Sequence, residues 1–193
     1  GRFADLVAGY LDLEANVTEN FNLGLAVRSE EYSDFGSATS GKLSARYDFN
    51  DAFALRGTVS TGFRAPSLQQ QFFRSTATNF IGGVPFDIRT FRVNDTAAVA
   101  LGAEQLKAEE SKNLSLGLVL QPAENLYVTV DAYRIDIDDR IMLSENLTSA
   151  AVRAFLNATV DPALGGGRYF TNAIDTSTKG VDIISTYRWG IGE

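Results

Sequence analysis

The sequence predicts an all-β protein, an antiparallel up-and-down meander. Three observations predict it. Apolar residues recur at alternate positions along most of the chain, and that period puts them on one face of a strand. Short polar turns alternate with long links, the asymmetry of a meander that turns tightly at one end and loops widely at the other. No stretch approaches the roughly 20 continuous apolar residues of a membrane helix.

The strands follow in order. Over residues 5–17, Val7, Leu11, Leu13 and Val17 share a face opposite Tyr10, Asp12 and Glu14. Phe21, Leu23, Leu25 and Val27 then oppose Asn22, Gly24, Ala26 and Arg28. Leu43, Ala45, Tyr47 and Phe49 oppose Lys42, Ser44, Arg46 and Asp48. Phe53, Leu55, Val59 and Phe63 oppose Arg56, Thr58 and Ser60. In the second half, Leu114, Leu116, Leu118 and Leu120 oppose Asn113, Ser115 and Gly117. Leu126, Val128, Val130 and Ala132 oppose Tyr127, Thr129, Asp131 and Tyr133. Val181, Ile183, Tyr187 and Trp189 close the series. A helix would scatter these leucines around its whole circumference. The turns are Thr18-Glu19-Asn20, Asn50-Asp51 and Pro122-Ala123-Glu124-Asn125, all polar. The long links are 33–40, 65–107 and 138–168.

Two readings of the apolar face compete. In one it packs on a second sheet, as in a soluble sandwich. In the other it faces lipid and the polar face lines a lumen. Lipid is favoured by the simple aliphatic character of that face and by aromatics near strand ends (Phe21, Phe49, Phe53, Phe63, Tyr127, Tyr187, Trp189), where a girdle would lie. It is also favoured by real charge on the other face, which a wide wet lumen tolerates and a small packed barrel does not. The mean hydropathy of −0.06 is what two such faces average to.

Composition removes most alternatives. Cys and His are both absent, and the net charge is −7. A disulfide framework, a thiolate nucleophile, a Ser-His-Asp triad and a His-held metal are excluded. An acidic chain is poorly suited to a nucleic-acid backbone. No enzyme activity, cofactor, metal or nucleic-acid partner is expected. Residues 1–5 do not resemble a signal peptide.

Four segments together resemble the TonB-dependent outer-membrane receptors. Ser60 to Gln70, STGFRAPSLQQ, is similar to the segment that ends an ascending strand and opens an extracellular loop. Residues 106–113, LKAEESKN, resemble the start of the descending strand, with Ala108 where that family often has Pro. Residues 126–133 with Ile135, Ile137, Asp138 and Ile141 resemble the next ascending strand. Tyr169-Phe170-Thr171-Asn172-Ala173 with Lys179-Gly180-Val181-Asp182 resembles a later one, Asp182 replacing the usual Glu. The order and spacing are rather specific over Phe53 to Trp189; Phe3 to Phe49 fits by strand pattern alone.

The resemblance implies that residues 1–193 are about seven strands of a transmembrane β-barrel of about 22 strands. The plug domain, the TonB-contact segment and a terminal aromatic residue are then expected to lie elsewhere in a longer parent chain. The implied function is part of an active transporter that imports a scarce nutrient with energy coupled through TonB. A ferric siderophore leads, with cobalamin or a carbohydrate behind it. The implied partners are outer-membrane lipid, the plug and TonB. The alternatives are a non-transporting structural barrel and a soluble β-rich binding module.

Function is most readable in the link after Ala65. It runs about forty residues, beyond ordinary loop lengths, and holds five phenylalanines and three arginines against three acids. Arg64, Phe72, Phe73, Arg74, Phe86, Arg89 and Arg92 are the candidate contacts for an anionic, aromatic iron chelate; the bland reading is that the phenylalanines pack the loop. Arg56, Asp131 and Tyr133 are expected to face the lumen or the plug. The acidic run 136–139 lacks calcium-loop spacing and reads as a wetted rim. Gly165-Gly166-Gly167 has no following Lys-Ser/Thr and reads as slack before the last strand. Residues 149–158 have helical spacing, with Thr148 or Ser149 as the cap and Val152, Phe155 and Leu156 on one side, and are expected to form a short extracellular helix.

Overall fold

The computed structural model describes residues 5–33 and 36–190. Residues 1–4, which enter the signal-peptide argument, and residues 34–35 of the first long link lie outside that range. The described chain forms two compact units.

The sheet unit covers residues 3–63, 110–138 and 176–193. Its strands are β1 (Leu6–Thr18), β2 (Phe21–Tyr32), β3 (Gly36–Asn50), β4 (Phe53–Arg64), and, continuing past the unit's limits, three more. These are the seventh strand of the chain (Glu109–Ala123), the eighth (Leu126–Leu143) and the tenth (Phe170–Tyr187). The loop unit supplies β5 (Ser75–Ile81), β6 (Val84–Thr90) and β9 (Gly166–Arg168), so the three long strands are β7, β8 and β10. The sheet order is β1-β2-β3-β4-β7-β8-β10, a meander with no crossover inside it. The β1–β2, β2–β3, β3–β4 and β7–β8 pairs are antiparallel.

The register puts like with like. Leu11 faces Val27, Leu13 faces Leu25, and Leu25 faces Leu43. Arg46 sits opposite Arg56 on the other face. Their like charges are separated by partners of their own: Arg46 bonds Asp48 at 2.7 Å and Arg56 bonds Asp131 at 2.7 and 3.0 Å. A Cβ at Gly117 would stand 2.1 Å from Asp131 Oδ1, so this bidentate pair requires glycine beneath it. The apolar face stays open: Leu11, Leu13, Leu114, Leu116 and Ile183 are all more than half exposed. Among the described residues of the unit no second sheet layer packs on it. A continuous face of leucine and valine is far beyond the apolar patches of soluble monomers.

Three hairpins turn at one end. Glu19-Asn20, Asp51-Ala52 and Glu124-Asn125 are the residues between paired strands. Each has a register shift just before the turn, which tightens the local twist. Asn50 fixes its turn by accepting the Ala52 N–H at 2.9 Å, the role for which Asn is favoured in turns. Aromatic rings gather at this end. Tyr47 contacts Phe49 edge-on at 4.8 Å, Phe49 stacks on Phe53 at 4.8 Å, and Tyr187 stacks on Trp189 at 6.1 Å.

Strand limits differ from the sequence reading. β3 begins at Gly36, so the link set at 33–40 is mostly strand; Ser37, Ala38, Thr39 and Ser40 carry no apolar alternation to mark it. β8 runs to Leu143, which shortens the last link at its start, while β10 starts at Phe170, close to the expected end. The added β8 residues open on Asp138, Asp139 and Arg140, which interrupt the apolar alternation while the strand continues.

The loop unit, residues 64–109 and 139–175, is not irregular. It holds α1 (Leu68–Phe72), α2 (Thr96–Ala100) and α3 (Ala150–Thr159) beside a β5-β6-β9 sheet. β5 and β6 form a hairpin on Gly82-Gly83, at φ 58° and 83°, the left-handed pair that a tight hairpin turn needs. β9 adds in parallel, with Ile88 facing Gly166. Phe91, Val93, Ala98, Leu106, Ile141, Leu156 and Leu164 form its core. Ser149 caps α3 by accepting the Val152 N–H at 3.3 Å, and Leu156 is fully buried with Val152 and Phe155 packed alongside.

The triple glycine corrects the reading of slack. Cβ atoms at Gly165, Gly166 and Gly167 would lie 2.7 Å from Phe86, 2.6 Å from the Leu147 carbonyl oxygen and 2.7 Å from Phe91. Glycine is there for close packing. Gly166→Ala must push against backbone, at an overpacking cost of about 1–3 kcal/mol. Hydrogen exchange should show faster exchange across β6, β9 and α3 with β1–β3 unchanged.

Candidate ligand-contact site

The site is built on two anchors. Ser67 starts α1: its hydroxyl accepts the Gln70 N–H, and the Gln70 side chain accepts the Ser67 N–H, both at 3.1 Å. This reciprocal cap fixes the helix that carries Leu68, Gln69 and Phe72. The second anchor is the alternation Phe91, Arg92, Val93: the first and third are buried, so the guanidinium between them is presented outward. The Val93 N–H reaches the Gln71 carbonyl at 3.4 Å, which brings the two anchors side by side.

Between them lies an open hollow of about 420 Å³ lined by Leu68, Gln69, Phe72, Phe73 and Arg92. Phe73 ends α1 in extended conformation and is 39% exposed. Arg92 is exposed and makes no ion pair among the described residues. A cation beside aromatic faces suits a flat or anionic guest, worth about 0.5–2 kcal/mol per cation–π contact.

The other candidates are placed differently. Arg64 pairs with Glu109, through Nε at 2.9 Å and also through Nη2. Glu109 is 5% exposed, and its other acceptor role is toward the Ile141 N–H at 2.8 Å. Arg89 bonds Asp161 at 2.9 Å and Thr76 at 3.1 Å. Phe86 lies under the Arg153 guanidinium at 5.5 Å and against Gly165. Arg74 is exposed at the entry to β5. Thus Phe72, Phe73 and Arg92 come together, while Arg64, Phe86 and Arg89 hold the loop unit's own framework. In the sheet unit, Arg56 and Asp131 hold each other, and the Tyr133 hydroxyl lies over Gly180, 2.4 Å from where a Cβ would stand.

Glu109 and Asp161 were absent from the sequence candidates. Glu109 lies within LKAEES, where it reads as one of two adjacent glutamates; its burial distinguishes it. Asp161 carried a weaker signal, an Asp before Pro162 that starts a turn. Its carboxyl is held below the ordinary Asp range, first by the Ala163 N–H at 3.0 Å and then by Arg89. The acidic run is likewise partnered: Asp136 meets Arg134 at 2.8 Å and Asp138 meets Lys112 at 3.0 Å. Asp139 stands at φ 56°.

A family model described as "TonB dependent receptor-like, beta-barrel" matches residues 3–193. The chain belongs to this family. The receptor segment is 26% identical over 156 residues to a protein named "Probable TonB-dependent siderophore receptor PirA" from Acinetobacter baumannii, covering 79% of this chain and 19% of that protein. It is 27% identical over 134 residues to an "Iron-regulated outer membrane virulence protein" of Vibrio cholerae, covering 69% of this chain and 18% of that one. The chain therefore spans about a fifth of the length of the curated relatives it matches. Among solved structures, the siderophore receptor PirA of Pseudomonas aeruginosa superposes with a TM-score of 0.71 at 18% identity, over 93% of this chain and 30% of that one. The ferric enterobactin receptor PfeA of the same species, in a complex with enterobactin, gives 0.70 at 16% identity, over 93% and 24%. These likenesses establish the fold: an open run of a receptor barrel in the outer membrane.

Two outcomes test this geometry. Glu109→Ala leaves the buried Ile141 N–H without its acceptor, a cost of about 1–3 kcal/mol, read as a lower unfolding midpoint in detergent and denaturant. For Asp161 the depressed value means that its contribution is complete above the ordinary carboxylate pKa, about 3.9. It is lost as pH falls through the depressed value. The Ala163 amide NMR shift should be flat above about pH 4 and move below it, and Asp161→Asn should abolish the movement.

Proposed function

We propose that this chain forms one wall of a TonB-dependent receptor that binds a ferric siderophore outside the cell and imports it. In this reading residues 1–193 are part of the barrel domain, and links 65–107 and 138–168 are extracellular. The lumen-side Arg56, Asp131 and Tyr133 face the plug of the parent chain, and TonB acts through a region outside this segment. The observation that carries the substrate class is the hollow with Phe72, Phe73 and exposed Arg92, on a chain whose relatives are named siderophore receptors. An exposed phenylalanine, Phe73, and an exposed guanidinium with no ion pair among the described residues complement an anionic chelate with aromatic iron-binding groups. In this reading Arg64, Phe86 and Arg89 serve the loop framework through Glu109, Arg153 and Asp161 rather than the ligand.

The test is equilibrium binding to the full-length receptor that carries this segment. Ferric enterobactin, a hydroxamate chelate, cyanocobalamin and a maltodextrin are the probes. The catecholate is expected to bind, and Phe73→Ala with Arg92→Ala to weaken it about tenfold or more, the loss of roughly 1.4 kcal/mol. Binding of cobalamin or maltodextrin instead would replace the substrate class. No binding and no uptake of any probe would favour a structural barrel.

A further inference from the structure

Arg92 is held by its backbone and left free at its tip. Phe91 and Val93 on either side are buried. Their N–H groups donate to the Arg168 and Gln71 carbonyls at 2.8 and 3.4 Å. Both backbone groups of Arg92 itself go to one residue, Asp95. The Asp95 N–H donates to the Arg92 carbonyl at 3.1 Å, and the Asp95 carboxylate accepts the Arg92 N–H at 3.3 Å. The stretch from Arg92 to Asp95 is thereby closed from both ends, the second time by a side chain reaching back three residues.

Two other uses of this carboxylate are open, and neither is taken. Asp95 stands at the start of α2, where an Asp ordinarily accepts an N–H of the first turn; its side chain makes no such bond. It is also the acid nearest to Arg92 in the sequence, yet the two side chains form no ion pair among the described residues. The guanidinium stays exposed.

A carboxylate placed on the amide rather than on the guanidinium has two effects. It removes backbone freedom from the residue that presents the cation, so less order must be imposed when an anion binds. It also leaves a negative charge near that cation, and water and salt screen this pull at an exposed site. For an anionic guest the two effects have opposite signs, and a substitution can separate them.

We propose that Asp95 is the positioning residue of the hollow: it clamps the backbone of Arg92 so that the guanidinium is presented, unpaired, beside Phe73. The inference rests on the proposed function, in which the hollow takes an anionic chelate. It adds a role for a residue that does not line the hollow and that carries the same sign of charge as the guest.

The experiment uses the full-length receptor in detergent, as wild type, Asp95→Ala, Asp95→Asn, Arg92→Ala and the Arg92→Ala/Asp95→Ala double variant. Hydrogen exchange without ligand reads the clamp. The Arg92 amide should lose protection in Asp95→Ala and keep it in Asp95→Asn, whose side-chain oxygen still accepts. Equal exchange in wild type and Asp95→Ala would overturn the clamp. Equilibrium binding of ferric enterobactin reads the consequence. Asp95→Ala should weaken it about threefold, the worth of one hydrogen bond. Asp95→Asn should bind at least as tightly as wild type, and more so at low salt. In the Arg92→Ala background the loss of Asp95 should add nothing, because residues that act through one another are not additive. Equal effects of Asp95→Ala in both backgrounds, or a loss in Asp95→Asn as large as in Asp95→Ala, would overturn the positioning role. If the wild type binds no ferric enterobactin, the chelate reading fails by itself, and the exchange pattern still decides the clamp.

Discussion

A peptide group in hydrocarbon has no water to bond, so each membrane strand must be satisfied by the strands beside it. The period of two follows from this. Once strands pair sideways, successive side chains alternate between lipid and lumen, and every strand of the sheet unit carries leucine or valine on one face and polar groups on the other. On the polar face the Arg56 and Asp131 charges partner each other over Gly117. The pairing constraint also explains why β1 and β10, each with one neighbour among the described residues, have outer edges that call for further strands in the membrane.

The loop unit answers to a different rule. It folds around a buried apolar core of its own, with Phe91, Leu156 and Ile88 almost fully buried. Its charges are spent on the framework: Arg64 on Glu109, Arg89 on Asp161. What remains presented is selected by alternation around the core, which is how Arg92 comes to face outward between Phe91 and Val93. Presented and buried positions alternate residue by residue within one short segment.

The barrel strands were legible because lipid imposes a strong, simple pattern. Leu114 to Leu120 could hardly be read otherwise, and the α3 cap at Ser149 was visible from spacing alone. The strand ends were not, because beyond the apolar band the pairing of Ser37, Thr39 or Asp138 leaves no hydrophobic signal. The hairpin on Gly82-Gly83 was present as a turn signal between Phe80 and Val84 but lay inside a segment too long to parse by period. The site residues divided for a related reason. Composition shows that arginines and phenylalanines are present; it does not show that Asp161, 72 positions after Arg89, is already that arginine's partner.

The loop unit draws its core from two stretches, 64–109 and 139–175, separated by the β7–β8 hairpin. β9 pairs with β6 across about eighty residues of chain. Its assembly must therefore wait for that hairpin to return the second stretch, and a long closure precedes the first contact that rewards it. Evolution inherits the same restriction. Neither loop can be exchanged alone, because each supplies half of the other's interior. If the proposed hollow takes the ligand, new preference would arise more readily from substitutions at presented positions such as Arg92 and Phe73 than from transplanting a single loop.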